Sequence, residues 1–204
     1  MNNFNVPAAP ELVVQISGGS LSLRVSTSGH IEAHFEDEDV EESDVHFRQN
    51  GSRVDLRVDD ESDLNLDVPV STAVKMATGD GDIDIISFDG TVEACSNDGS
   101  IDARGRFDRL QLTTDDGQIE VEALAGSRMA SEWKLHTGDG SITIRLPRDF
   151  AADLDAATGD GHIRIDLPFT SARFDEHCVR GKLNGGGPLL TLHTDDGSIE
   201  IEPL

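Results

Sequence analysis

Six aspartates stand directly before a glycine in near-identical settings: Asp80, Asp98, Asp116, Asp139, Asp160 and Asp196. Carboxylates repeated in this way suit a hard cation such as Ca2+, which takes carboxylate and backbone oxygens. If the copies stack, like charges come within about 4.8 Å, the spacing of neighbouring strands, and a bridging cation would offset their repulsion. The residue order argues the other way. Calcium-binding β-rolls carry Asp two residues after glycine, as GGxGxD, whereas here Asp precedes glycine and, of the residues that follow the six turn glycines, only Asp82 is acidic. An Asp that bonds its own backbone in a tight turn accounts for the same pattern. The expectation is no metal and no cofactor, with the six aspartates as a Ca2+-binding alternative.

Other chemistries find less support. His30 and His34 are four apart, which on one face of a strand separates them by about 13 Å, too far to share a metal. His136 and His193 occupy the same slot before a repeated Thr, His162 lies just after one, and His46 and His177 have no partner visible in sequence. No metal cluster is expected. Nucleophilic catalysis needs a Ser, Cys or Thr beside a positioned base. No GxSxG occurs, and Cys178 next to His177 would point to the opposite face of a strand. Gly185-Gly186-Gly187 lacks the Lys-Ser/Thr of a phosphate loop. Carboxylate pairs of the glycosidase kind are available in any acidic chain. A carbohydrate-active enzyme is the weakest alternative, and no catalytic residue is assigned.

The elements that position these residues are repeats. Thr78-Gly79-Asp80-Gly81-Asp82-Ile83 recurs from Ser96, Thr114, Thr137, Thr158 and Thr194, with weaker relatives at Ser87 and Thr27. Thr, Gly or Asp or Asn, then Asp favours a type I turn, and the following Gly can take positive φ. The residues after each turn alternate, as in Ile119-Glu120-Val121, Ile142-Thr143-Ile144 and Ile199-Glu200-Ile201, which is strand periodicity. Strands such as Leu110-Gln111-Leu112 and Trp133-Lys134-Leu135 precede the turns. Each unit reads as strand, turn, strand. Hairpin meanders and a β-solenoid both fit, and equivalent turns at a near-constant step favour stacking. Val68-Pro69, Leu146-Pro147 and Leu167-Pro168 read as connections between rungs, because Pro ends a ladder.

The N-terminal part differs. Strands are expected at residues 12–16, 21–25, 30–35 and 54–58, with the acidic run Glu36-Asp37-Glu38-Asp39-Val40-Glu41-Glu42 as a loop. They read as one end of the same sheet system, capping it; residues 199–204 could cap it too. The organisation is a tail over 1–10 and one domain over 11–204, divided into N-terminal strands and acidic loop (11–67) and repeats (68–204). Residues 150–157 are the best short helix candidate in an otherwise all-β chain.

Charge sets limits on partners. Forty Asp and Glu against 16 Lys and Arg give a formal net charge of −24. Nucleic acid and anionic membrane surfaces repel such a chain, since both are bound through Lys and Arg. With 4% aromatic residues, no Tyr and one Trp, the core must be aliphatic. Cys95 and Cys178, without CxxC spacing, are expected to be buried free thiols; they could pair only with Cα atoms about 4.4–6.8 Å apart. The first residues show no basic n-region or apolar run, and no segment approaches a transmembrane span. The chain as written is expected to be cytoplasmic without membrane insertion, or at the cell surface if it is a fragment.

The TGDGxI turns, the VP and LP lead-ins, and Arg180-Gly181-Lys182-Leu183-Asn184-Gly185-Gly186-Gly187-Pro188 followed by Leu192-His193-Thr194-Asp195-Asp196-Gly197-Ser198-Ile199 resemble the family called putative adhesin domains. These are prokaryotic β-strand-repeat domains of unknown function. The resemblance runs from about Glu11 to the end. It implies a single-chain right-handed β-helix or solenoid-like stack, and it brings no agreed catalytic residues. The expected function is a non-enzymatic interaction or scaffold module with a protein or cell-surface partner.

Overall fold

Alternation of apolar and polar residues, rung after rung, gives a chain that can bury one face of every strand and has no segment with helical period. The computed structural model describes residues 2–5 (backbone only), 10–36 and 43–204. Most of the tail and the acidic run, at 6–9 and 37–42, lies outside the described residues. Among the described residues there is no helix, and 19 strands join in one hydrogen-bonded sheet. These are β1 (Asn2–Asn5), β2 (Glu11–Gly18), β3 (Leu21–Ser26), β4 (His30–Phe35), β5 (Val45–Asn50), β6 (Arg53–Glu61), β7 (Leu64–Pro69), β8 (Ala73–Ala77), β9 (Ile83–Ser96) and β10 (Ile101–Asp116). They continue as β11 (Ile119–Ala123), β12 (Trp133–Asp139), β13 (Ile142–Leu146), β14 (Ala152–Asp160), β15 (Ile163–Ile165), β16 (Phe169–Phe174), β17 (Cys178–Leu183), β18 (Leu189–Asp196) and β19 (Ile199–Pro203).

The architecture is solenoid-like. Each rung has a first arm, a break at the repeated glycine, and a second arm, and rungs stack in parallel. First arms run β6, β2, β8, the end of β9, the end of β10, β12, β18, β14. Second arms run β7, β3, the start of β9, the start of β10, β11, β13, β19, β15. Parallel stacking decides against the hairpin meander for the repeats. The order is not the order of the sequence. At one end residues 53–69 form the outer rung and 11–26 the next; at the other, residues 189–203 slot between 133–146 and 152–165. The final strand β19 is therefore interior, paired to β13 and β15, and caps nothing.

Antiparallel strands cover the ends; of the N-terminal strands expected to cap the sheet only 30–35 does so, while 12–16 and 21–25 lie in an inner parallel rung and 54–58 in the outermost one. β5 pairs with β6 and β4 with β7, and β1 pairs with β4. At the other end β17 pairs with β14, and β16 with β17. Short antiparallel caps blunt edges that would otherwise recruit further strands. Residues 150–157, the helix candidate, form a turn at Phe150 and then the start of β14. Their alternating burial is what a sheet selects when a partner strand lies on each side, here β18 in parallel and β17 antiparallel.

Inward side chains form ladders. Ile83, Ile101, Ile119, Ile142 and Ile199 line one row, all at most 1% exposed, within a single aliphatic core. Trp133 is the largest residue in it, edge-on to Phe107 at 6.1 Å and tilted against Phe150 at 5.3 Å. The thiols depart from the expectation: both are free, but Cys95 is exposed and Cys178 half-buried. They sit on outward positions of the first arm, five strand spacings or about 24 Å apart, so they cannot pair.

Candidate functional site

The repeated Thr-x-Asp-Gly has a structural use that differs from a simple type I turn. In four copies the strand runs through Thr and Asp and breaks only at Gly and its successor, as at Gly117-Gln118 between β10 and β11. The Thr or Ser hydroxyl points inward, is almost fully buried, and donates to the glycine carbonyl of the adjacent rung. Thr78 donates to Gly19 O (2.8 Å), Ser96 to Gly81 O (2.8 Å), Thr114 to Gly99 O (2.8 Å) and Thr137 to Gly117 O (2.7 Å). Thr194 and Thr158 repeat the bond to Gly140 and Gly197. A second ladder runs through the residue after glycine: Ser100 N–H donates to Asp82 Oδ1 (2.8 Å), Gln118 N–H to Ser100 Oγ, and Ser198 N–H to Ser141 Oγ.

The six turn aspartates are all exposed. Asp116, Asp139, Asp196 and Asp160 fall in register on successive strands. Their backbone participates, since Gly117, Gly140 and Gly197 N–H donate to Asp139, Asp196 and Asp160 O at 2.8–3.1 Å. Among the described residues their carboxylates make no hydrogen bond of the expected self-capping kind. The side chain that secures the corner is the Thr, whose inward phase in the alternation was the available signal.

Histidines divide by context. His136 and His193, in the same slot of adjacent rungs, stack at 5.2 Å. His162 Nδ1 lies 2.8 Å from Ser198 Oγ. His46 does have a partner, Asp59 Oδ2 at 3.0 Å across the β5–β6 pair, where an open groove of ≈ 740 Å³ is also lined by Phe47, Arg48, Asp55 and Arg57. Hydrogen bonding by Arg57, then its charge and His46, holds the Asp59 carboxyl below the usual carboxylate range. That suits an anchored anion rather than a proton donor. Asp55 lies four residues away along the same strand, about 13 Å, beyond the spacing of a glycosidase pair.

A different surface concentrates acidic charge on flat strands. On the outward side of the second arm Asp84, Asp102 and Glu120 are register partners on three successive strands, about 4.8 Å apart. With Ile86, Arg104 and Glu122 they surround a shallow depression of ≈ 300 Å³. Ile86 is exposed, 39%. Glu120 is engaged by Arg145, which also reaches Glu202 at 3.3 Å, and Arg104 pairs with Glu122 at 3.3 Å. Asp84 and Asp102 have no cationic partner among the described residues. Partial burial, then Glu120, Asp84 and Asp82, push the Asp102 carboxyl above its ordinary value.

This shift has a sign that can be tested. The folded state holds the Asp102 proton more tightly than the unfolded chain, so its stabilising contribution is complete below the ordinary carboxylate range and is lost as pH rises through the raised value. Asp102→Asn is expected to stabilise the protein at pH 7 by roughly 0.2–1 kcal/mol, the size of a like-charge cross-strand pair, at the low end because the group is solvated. Urea melts of both proteins at pH 7 and pH 4 measure it. The gain should shrink at the lower pH; an equal or lower stability of the variant at pH 7 contradicts the repulsion.

Comparison with known proteins adds the following. The family model described as Toastrack DUF4097 matches residues 6–202. A crystal structure of a putative cell adhesion protein from Clostridium sporogenes superposes with a TM-score of 0.58 at 12% identity, covering 100% of this chain and 99% of that one. A putative adhesin from Bacteroides fragilis aligns over 100% and 95% at 13% identity with a TM-score of 0.33. No curated protein matches the chain in sequence. The first likeness supports the fold. No helix among the described residues is long and apolar enough to cross a membrane.

Proposed function

The chain belongs to the Toastrack DUF4097 family, and we propose that it is a non-enzymatic β-solenoid module that presents the outward acidic face of its second arm to a positively charged protein, in solution or at a cell surface. The observation that carries this reading is the in-register series Asp84, Asp102 and Glu120, which lines one shallow depression together with the exposed Ile86. A central apolar contact within a charged rim is the usual anatomy of a protein interface, and unneutralised like charges steer and select a partner of opposite sign. The groove lined by His46 and Asp59 supports catalysis poorly, because no Ser, Cys or Thr lines it and Asp59 is tied to Arg57.

Pull-down from the native source with the wild-type chain and with Asp84→Asn/Asp102→Asn tests the reading, since the double change leaves the Glu120–Arg145 pair intact. A partner captured by wild type at low salt should be at least tenfold depleted with the variant and released as salt rises. Capture indifferent to both sinks the acidic face as the binding surface. The Ca2+ alternative for Asp80, Asp98, Asp116, Asp139, Asp160 and Asp196 separates by melting with Ca2+ or EDTA, which the interaction reading expects to coincide.

A further inference from the structure

We propose that Glu32, His34 and Asp67 form a binding site for a zinc-class divalent ion at the capped N-terminal end of the second arm. Glu32 and His34 alternate onto the outward face of β4, and Asp67 of β7 is the antiparallel register partner of Glu32. The pairing therefore brings two carboxylates and an imidazole, up to 35 residues apart in sequence, onto one patch. His34 Nε2 lies 3.7 Å from Glu32 Oε2 and 4.0 Å from Asp67 Oδ2. Among the described residues this is the one group of three such side chains whose ligand atoms all lie within 4.8 Å of one another. In a tetrahedral site with bonds of about 2.0–2.1 Å the donors sit roughly 3.4 Å apart. Small side-chain rotations close the difference, and all three groups are about a third exposed.

Charge makes the same point. Two carboxylates directly opposite on paired strands repel, and an ion held between them and His34 Nε2 would offset that repulsion. Elsewhere on this face carboxylates beside an arginine are engaged by it: Glu122 by Arg104, Glu202 by Arg145, and Asp166 by Arg164. Arg24 is the register partner of Asp67 on β3, yet no ion pair joins them among the described residues. The nearby Glu36 carboxylate is already committed, accepting from Asn65 Nδ2 at 2.7 Å. An imidazole ligand with two carboxylates selects a borderline ion such as Zn2+ over Ca2+, which takes oxygen alone. Three protein ligands leave one position of the ion open to water or to a partner's side chain. The site lies on the same outward side, with Asp67 two strands from Ile86 through Arg24, and it does not depend on the reading of the acidic face.

Calorimetric titration of the full chain with Zn2+ at pH 7.5, and visible spectra with Co2+, test the site. One ion per chain is expected, with the intense d–d bands of low-coordinate Co2+. His34→Ala and Asp67→Asn should each weaken Zn2+ at least tenfold and abolish those bands. The double variant His136→Ala/His193→Ala, which removes the stacked pair, should bind as wild type does. Melting in EDTA verifies that the variants fold, and Asp67→Asn preserves side-chain shape. Absence of saturable binding overturns the site. So does affinity unchanged in both site variants, or lost in the histidine-stack variant instead.

Discussion

Gly99→Ala is expected to destabilise the protein by about 3 kcal/mol, at the top of the usual range for overpacking. A Cβ on Gly99 would meet the carbonyl carbon and oxygen of Gly81 and come to 2.8 Å from Ser96 Oγ. The obstructing atoms are the backbone of the next rung, which cannot retreat without opening the parallel ladder. The same carbonyl accepts the Ser96 hydroxyl, so the methyl group also displaces a buried hydrogen bond. Equivalent clashes recur at Gly81, Gly117 and Gly140. Among the six turn glycines only Gly161 and Gly197 have positive φ, 148° and 149°. The turn pattern alone suggests a conformational reason for glycine; at Gly99 the reason is close approach between rungs. Urea denaturation followed by far-UV circular dichroism measures the effect, with Gly29→Ala as control, because nothing lies within 4 Å of a Cβ there. Equal stability of Gly99→Ala and wild type would show that rung spacing tolerates a methyl group.

Trp133→Ala is expected to cost about 3–5 kcal/mol, the range for emptying a buried aromatic site. Trp133 is fully buried, flanked by Phe107 and Phe150, and held between strands that cannot collapse independently. Its indole N–H has no hydrogen-bond partner among the described residues, and burying such a donor costs about 1–3 kcal/mol. Trp133→Phe should therefore lose less than half as much as the alanine change, since it removes the unsatisfied donor and keeps a ring. Chemical denaturation by circular dichroism ranks the three proteins, as the single tryptophan is absent from both variants. A phenylalanine variant as unstable as the alanine one would mean that indole volume alone governs the site.

The strands and their inward faces were legible because a period of two leaves little freedom: Ile142, Ile144 and Leu146 must share a face, and that face must be dry. Stacking was legible from the repeated Thr and Gly. The acidic surface was legible as composition, but not its focus, because Asp84, Asp102 and Glu120 converge only through the register of three parallel strands. Glu32, His34 and Asp67 were less accessible still. In sequence the nearest histidine to His34 is His30, while Asp67 reaches it only across the antiparallel β4–β7 pair. Similarly His46 found Asp59 only once β5 folded back on β6.

By itself the sequence determined an all-β chain of repeated strand-turn-strand units with an aliphatic core, a strongly negative surface and a resemblance to adhesin-type domains. These follow from local periodicity and charge, which need no knowledge of neighbours. Only the tertiary structure decided the order of the rungs, with residues 11–26 inside 53–69 and 189–203 inside 152–165. Strands of equal alternation pair equally well in many orders, so the choice rests on loop reach and on the antiparallel caps. The capped end that holds Glu32, His34 and Asp67 is a product of that choice.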